Sequence, residues 1–321
     1  MAQLVKLADY ISRYETDLHR YSSRYPRLKT ERWERLKHNW ETERKKPLIR
    51  DYEEIVTSSW GMEAGSVWKR MVKQVPFLRR KNVTKEETDG GRDVSFNRPV
   101  SSLDSLARSF REELYQFQLS WASSTISETS AISSRFEQDT LLARMVKDLP
   151  DTYFILYSPV FRVRQAEVEL GVIIITPVEI WLLQPLDGDE HTIYSPLNER
   201  FWNRQSRSGT EKIIHPGTAL KRMASVVKEI LQEQGHPAKL KPALVAKNSF
   251  IDIPDNNRIY RIIDKRSFPG WFEQMRKNHS PIKSDQLKVT NTLLDYCVTY
   301  AAERSGLSGE SAVNEERGGG I

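Results

Sequence analysis

Cysteine occurs once in the 321 residues, at Cys297. An internal disulfide is excluded, and so is a zinc site built from several cysteines. No run approaches the roughly 18 apolar residues that a membrane-spanning helix needs. The longest apolar stretches, Gly171–Ile175 and Ile180–Leu183, are strand-sized. The opening residues MAQLVKLADY lack the charged-then-apolar order of a secretory signal. Glycines at 90–91, 217 and 318–320 make neither a phosphate loop nor a dinucleotide fingerprint. None of the six histidines, His19, His38, His191, His215, His236 and His279, stands at i, i+4 to another or in a metal-ligand motif. These absences point to a cytoplasmic protein with no membrane span and no motif for a resident cofactor.

What is present is charge, unevenly placed. Residues 1–85 carry 20 Lys+Arg against 11 Asp+Glu, a balance of +9, while the rest carries 29 against 32. Such asymmetry suits binding to nucleic acid or to an acidic surface. The basic and partly apolar cluster Lys69, Arg70 and Lys73, followed by Arg79, Arg80 and Lys81, supplies the candidate nucleic-acid contacts.

Apolar spacing of three and four predicts a first helix over Leu4–Tyr21, interrupted by Pro26. A second is predicted to start at Thr30 as N-cap, with Glu31 in its first turn. It carries Trp33, Leu36 and Trp40 as one stripe. That stripe serves either docking onto the protein's own core or, through Trp33 and Trp40, a protein partner. A third helix is predicted over Tyr52–Ser59. Residues 82–101 read as a linker, 102–134 as a helix (Leu103–Ala122) plus a Ser/Thr-rich connector, and 305–321 as a disordered tail. Cys297 sits at helical spacing to Leu294 and Ala301 and reads as a core thiol.

From residue 135 to 304 the pattern changes to strands and helices. A helix is predicted over Glu137–Asp148, with strands over Thr152–Tyr157, Val160–Leu170, Val172–Thr176, Ile180–Leu183 and His191–Tyr194. The amphipathic helix Thr218–Gln234 follows, then strands Ala243–Ala246 and Arg258–Ile263 and helices Pro269–Lys277 and Asp285–Arg304. The expected architecture is α/β (α+β), a mixed sheet flanked by helices, preceded by a basic helical region over 1–81.

An acidic helix residue at Glu137, the strand pair QAEVELGVIIITP and VEIWLLQPL, His215-Pro216-Gly217 leading into LKRMASVVKEIL, and the closing PALVAKNSFID come in a telling order. In that order the segment from about Glu137 to Phe272 resembles the NERD (nuclease-related) domain family, a distant relative of the PD-(D/E)xK endonucleases. The resemblance implies a restriction-endonuclease-like sheet, and a site in which carboxylates on the helix and first strand join a Glu-x-Lys on the second strand. Such a site holds a divalent metal while the lysine orients the attacking water. In this chain the Glu-x-Lys positions are Gln184, Pro185 and Leu186. An amide is a poor ligand for a hard cation, and leucine neither donates a proton nor positions water. The implied function is a catalytically degenerate nuclease relative that binds nucleic acid, DNA or RNA, or another partner, with no cofactor. The alternative is a nuclease that binds Mg²⁺ or Mn²⁺ through displaced carboxylates, Glu167 and Glu169 with Asp187, Asp189 and Glu190, beside the motif positions Glu137 and Gln184. Glu167 and Glu169 also read simply as a solvent-facing stripe.

Overall fold

The computed structural model describes residues 1–45, 102–125, 128–253, 260–278 and 280–300. The expected helix 52–59, the linker 82–101, the cluster Lys69, Arg70, Lys73, Arg79, Arg80 and Lys81, and the tail 305–321 lie outside them.

The chain opens with a strand. Where 3.6-residue spacing suggests a helix, Gln3–Leu7 is β1, buried at every position, and it pairs parallel with β2 (Phe154–Tyr157). A short helix α1 (Arg13–Thr16) follows, closed by a capping box between Ser12 and Glu15. Then comes α2 (Leu18–Lys45), which runs straight through Pro26. Proline removes one N–H, so the carbonyl four residues earlier, at Ser22, loses its helical partner. Gln3 of β1 supplies the replacement, its Nε2 donating to Ser22 O at 3.1 Å. The helix break that the sequence implies is thus repaired by a side chain from another element. Thr30, expected as an N-cap, is mid-helix and donates to Pro26 O.

Helix α3 (Leu103–Trp121) buries Leu106, Phe110, Leu114, Phe117 and Trp121 as expected. The predicted helix 137–148 is split into α4 (Ser134–Glu137) and α5 (Thr140–Asp148). The predicted strand 160–170 is a separate hairpin, β3 (Val160–Val163) and β4 (Ala166–Glu169), turning at Arg164 with φ 58°. It stands outside the main sheet.

Strands β5 (Val172–Ile175) and β6 (Ile180–Pro185) continue antiparallel from β2. After β6 the chain builds a second sheet from β7 (Ile193–Pro196), β8 (Phe201–Ser206) and β9 (Gly209–Ile214), of which β8 and β9 have no counterpart in the sequence reading. Helix α6 (Pro216–Glu233) then crosses to β10 (Leu240–Val245), parallel to β6. Strands β11 (Phe250–Ile251) and β12 (Arg261–Ile263) and helices α7 (Phe268–Lys277) and α8 (Ser284–Asp295) complete the chain. The main sheet has the order β1-β2-β5-β6-β10-β12, and the second β11-β7-β8-β9.

Alternation along the strands divides the interior. Phe154, Leu156, Ile173, Ile175, Ile180, Leu182 and Leu244 face a core shared with α2, α6 and α8. Ile155, Val172, Ile174, Trp181, Leu183 and Val245 face a core shared with α5 and α7. The class is α+β, with mixed sheets between helical layers. The described part of the N-terminal region, residues 1–45, packs on the rest of the chain: β1 edges the main sheet, and Tyr14, Tyr21 and Tyr25 share a core with Trp121.

Candidate functional site

At one end of the main sheet a cleft encloses about 660 Å³. Its wall is built from the end of β2 (Tyr157, Ser158), Glu169 at the end of β4, Gly171 before β5, and Gln184 and Pro185 at the end of β6. Asp187, the start of α5 with Asp139 and Thr140, and Ala219 and Arg222 of α6 close the rest, with Arg135 at the rim. Convergence of polar groups from several elements into one concavity is what a binding site requires.

The structure separates the sequence candidates. Glu169 and Gln184 line the cleft, whereas Glu137 and Glu167 are not among its walls. Glu167 instead meets Arg162 Nη2 at 3.3 Å and accepts from Tyr300 OH at 2.6 Å. The acid that the helix side contributes is Asp139, two residues beyond Glu137, and it is already engaged. Its Oδ1 accepts from the amides of Leu141 (2.8 Å) and Leu142 (3.0 Å), capping α5, while Oδ2 accepts from Tyr157 OH. Burial and the adjacent carboxylate push the Tyr157 hydroxyl far above its ordinary range, so it remains a donor. Trp33 packs on Phe110, ring centroids 5.2 Å apart, so half of the proposed partner stripe is used internally. Trp40 is half-buried farther along α2.

A metal site does not fit these residues. Among the described residues no three of His, Cys, Asp and Glu come together as a ligand set. Gln184 stands where the nuclease resemblance implies a carboxylate, and the residue flanking it on the neighbouring chain segment is Gly171. Leu186 is partly buried against apolar neighbours.

Two features in or beside the cleft have no signal in sequence spacing. Arg222 reaches the wall from the solvent side of α6. Lys247, just past β10 and not itself part of the wall, donates from Nζ at 2.6 Å to Oγ1 of Thr140, which is. Burial lowers its pKa and the nearby Arg144 adds to the effect, with Asp139 opposing. Asp139, by contrast, was legible as an N-cap immediately before an apolar-periodic run.

His215 shapes the turn into α6: its Nδ1 accepts from Gly217 N at 2.9 Å and its ring lies 5.0 Å from that of Trp202. This cap requires neutral imidazole. Burial holds the pKa below its ordinary 6.5, and Lys221 lowers it further. The folded state therefore binds fewer protons than the unfolded one around this value. The cap's contribution is complete above pH 6.5 and is lost as pH falls through the lower folded value. Thermal melts at pH 7.5 and 5.5 are expected to show less acid loss of stability in His215→Asn, since Asn caps without titrating. Equal loss in both proteins would rule His215 out as the acid-sensitive group.

No helix among the described residues is long and apolar enough to cross a membrane. No known protein family matches the chain, and no solved structure does. Among curated proteins it is similar to an RNA 2′,3′-cyclic phosphodiesterase of Geobacillus stearothermophilus, 35% identical over 118 residues, which are 37% of this chain and 36% of that protein.

Proposed function

We propose that this protein is a nuclease-related scaffold whose cleft binds a phosphodiester strand, RNA in the first instance, without cutting it. The observation that carries the reading is the cleft wall itself. Gln184, an amide where the nuclease resemblance implies a carboxylate, lines it together with Arg135 and Arg222, and Leu186, where the resemblance implies a lysine, packs against the apolar core instead. The helix–strand–strand–strand–helix–strand order of α5, β2, β5, β6, α6 and β10 supports the nuclease-related comparison. Guanidinium groups bind phosphate oxygens bidentately, and the amides of Gln138 and Gln184 with the hydroxyls of Thr140 and Ser158 add neutral hydrogen bonds. None of these groups activates water as a metal-bound carboxylate site does. The choice of RNA rests on the name of the similar phosphodiesterase, which the chain covers only in part.

Fluorescence anisotropy with single-stranded RNA and DNA at two salt concentrations tests this. Affinity is expected to fall steeply with salt through counterion release. Arg222→Ala should weaken all sequences alike, because phosphate contacts carry no base information. Incubation with Mg²⁺ or Mn²⁺ should leave the RNA intact. Binding that is absent or indifferent to salt would overturn the reading. Cleavage abolished by Glu169→Ala would replace it with an active metal site.

A further inference from the structure

We propose that the open face of the second sheet is a platform on which single-stranded RNA stacks its bases. The strand register defines this face. Phe201, Asn203 and Gln205 of β8 stand opposite Ile214, Lys212 and Thr210 of β9, and Phe250 of β11 aligns on the same side through β7. The other face is turned inward, where Tyr194, Trp202 and Ile251 are buried. On the open face Ile214 is 71% exposed and Ile193 37%, although β-branched apolar residues at such positions gain nothing from water. With Leu197 in the β7–β8 turn, this sheet supplies three of the five large exposed hydrophobics among the described residues.

The chemistry of the face selects its occupant. Within the four strands the register places no carboxylate on this side, and the only charge is Lys212, whose Nζ lies 3.9 Å from the Phe201 ring centroid. Glu211 is on the opposite face, paired with Arg204 at 3.4 Å. Phe250 has Lys265 Nζ at 5.4 Å and Arg266 Cζ at 5.7 Å from its ring. Aromatic rings with cations beside them, interleaved with amides, match the alternating demands of a nucleic-acid strand. Bases stack on the rings, amides bond base edges, and ammonium groups follow the phosphates. An acidic or purely apolar protein surface would leave the amide row without such a match. The inference rests on the cleft reading only for the choice of ligand; the surface is separate.

The test compares an oligouridine with an abasic strand of equal length, using the full chain. Phe201→Ala is expected to weaken oligouridine binding about tenfold, the order of one lost base stack, and Phe201→Trp to keep or improve it. The abasic strand should bind both variants alike. Ile214→Glu, at a site exposed enough to leave folding intact, should also weaken oligouridine binding by repelling phosphate. Wild-type affinity in both Phe201→Ala and Ile214→Glu would overturn the platform, even if Arg222→Ala still lowers binding and so preserves the cleft reading. An equal loss for the abasic strand in Phe201→Ala would also overturn it. So would a concentration-dependent dimer abolished by Ile214→Glu, which would make the face a contact between two copies of the chain. Absence of RNA binding in the wild type removes both proposals.

Discussion

Trp121→Ala is expected to lower stability by about 4 kcal/mol, within the range for emptying a buried tryptophan site. Trp121 is 3% exposed and closes an aromatic cluster, with centroids of Phe117 at 4.6 Å, Tyr21 at 5.1 Å, Tyr14 at 5.9 Å and Tyr25 at 6.4 Å. Three of those partners come from α1 and α2. The Arg13 guanidinium lies over the same ring at 5.9 Å. A loss of this size is a large part of the stability of an ordinary domain. Urea unfolding followed by fluorescence and by circular dichroism should show one shifted transition, because the cluster joins the N-terminal helices to the main sheet. A loss below about 1 kcal/mol would mean that the cavity collapses easily. A second, unshifted transition would mean that the N-terminal elements fold apart from the sheet.

That cluster also shows why the N-terminal region was misread from sequence. Leu4 and Leu7 continue a helical spacing with Ile11, Tyr14 and Leu18, yet they lie in β1, which has the main sheet on one side and packs on both faces. A strand covered on both faces loses its two-residue alternation, so periodicity alone cannot separate it from a helix. The passage of α2 through Pro26 depends on Gln3, nineteen residues before the Ser22 carbonyl that it satisfies. By contrast α3, β5, β6 and α6 carried their own signals: a one-sided apolar stripe, β-branched runs, and a Pro-Gly helix entrance. At the cleft, Gln184 was legible from the sequence as a residue at an expected Glu-x-Lys position. The lining by Arg222, the reach of Lys247 to Thr140 and the close approach at Gly171 were not, since each depends on contacts between distant parts of the chain. Strands β8 and β9 escaped because their residues are largely polar and exposed on one face.

Gly171→Asp is expected to destabilise the fold by about 3 kcal/mol, at the upper end of ordinary overpacking. A Cβ at this position would lie 2.3 Å from Leu183 O, a backbone atom that cannot turn aside as a side chain can, and 3.4 Å from Gln184 Oε1. The main chain of β6 therefore occupies the space that an acid beside Gln184 would need. The change contrasts with Gln184→Glu and Leu186→Lys. The first conserves shape, and the second lets a lysine stem cover apolar surface while its ammonium reaches solvent. This pair is expected to fold within about 1 kcal/mol of wild type. It should still fail to cleave RNA with Mn²⁺, because one restored carboxylate beside Gly171 and an already engaged Asp139 does not complete a ligand set. Denaturant unfolding of the single variant and a cleavage assay of the double variant read the two halves separately. A stable Gly171→Asp protein would show that β6 yields, and the acid position would then be open. Cleavage by the Gln184→Glu, Leu186→Lys protein would show that Glu169 or Asp187 already supplies the missing ligand. The chain would then be two substitutions from nuclease activity.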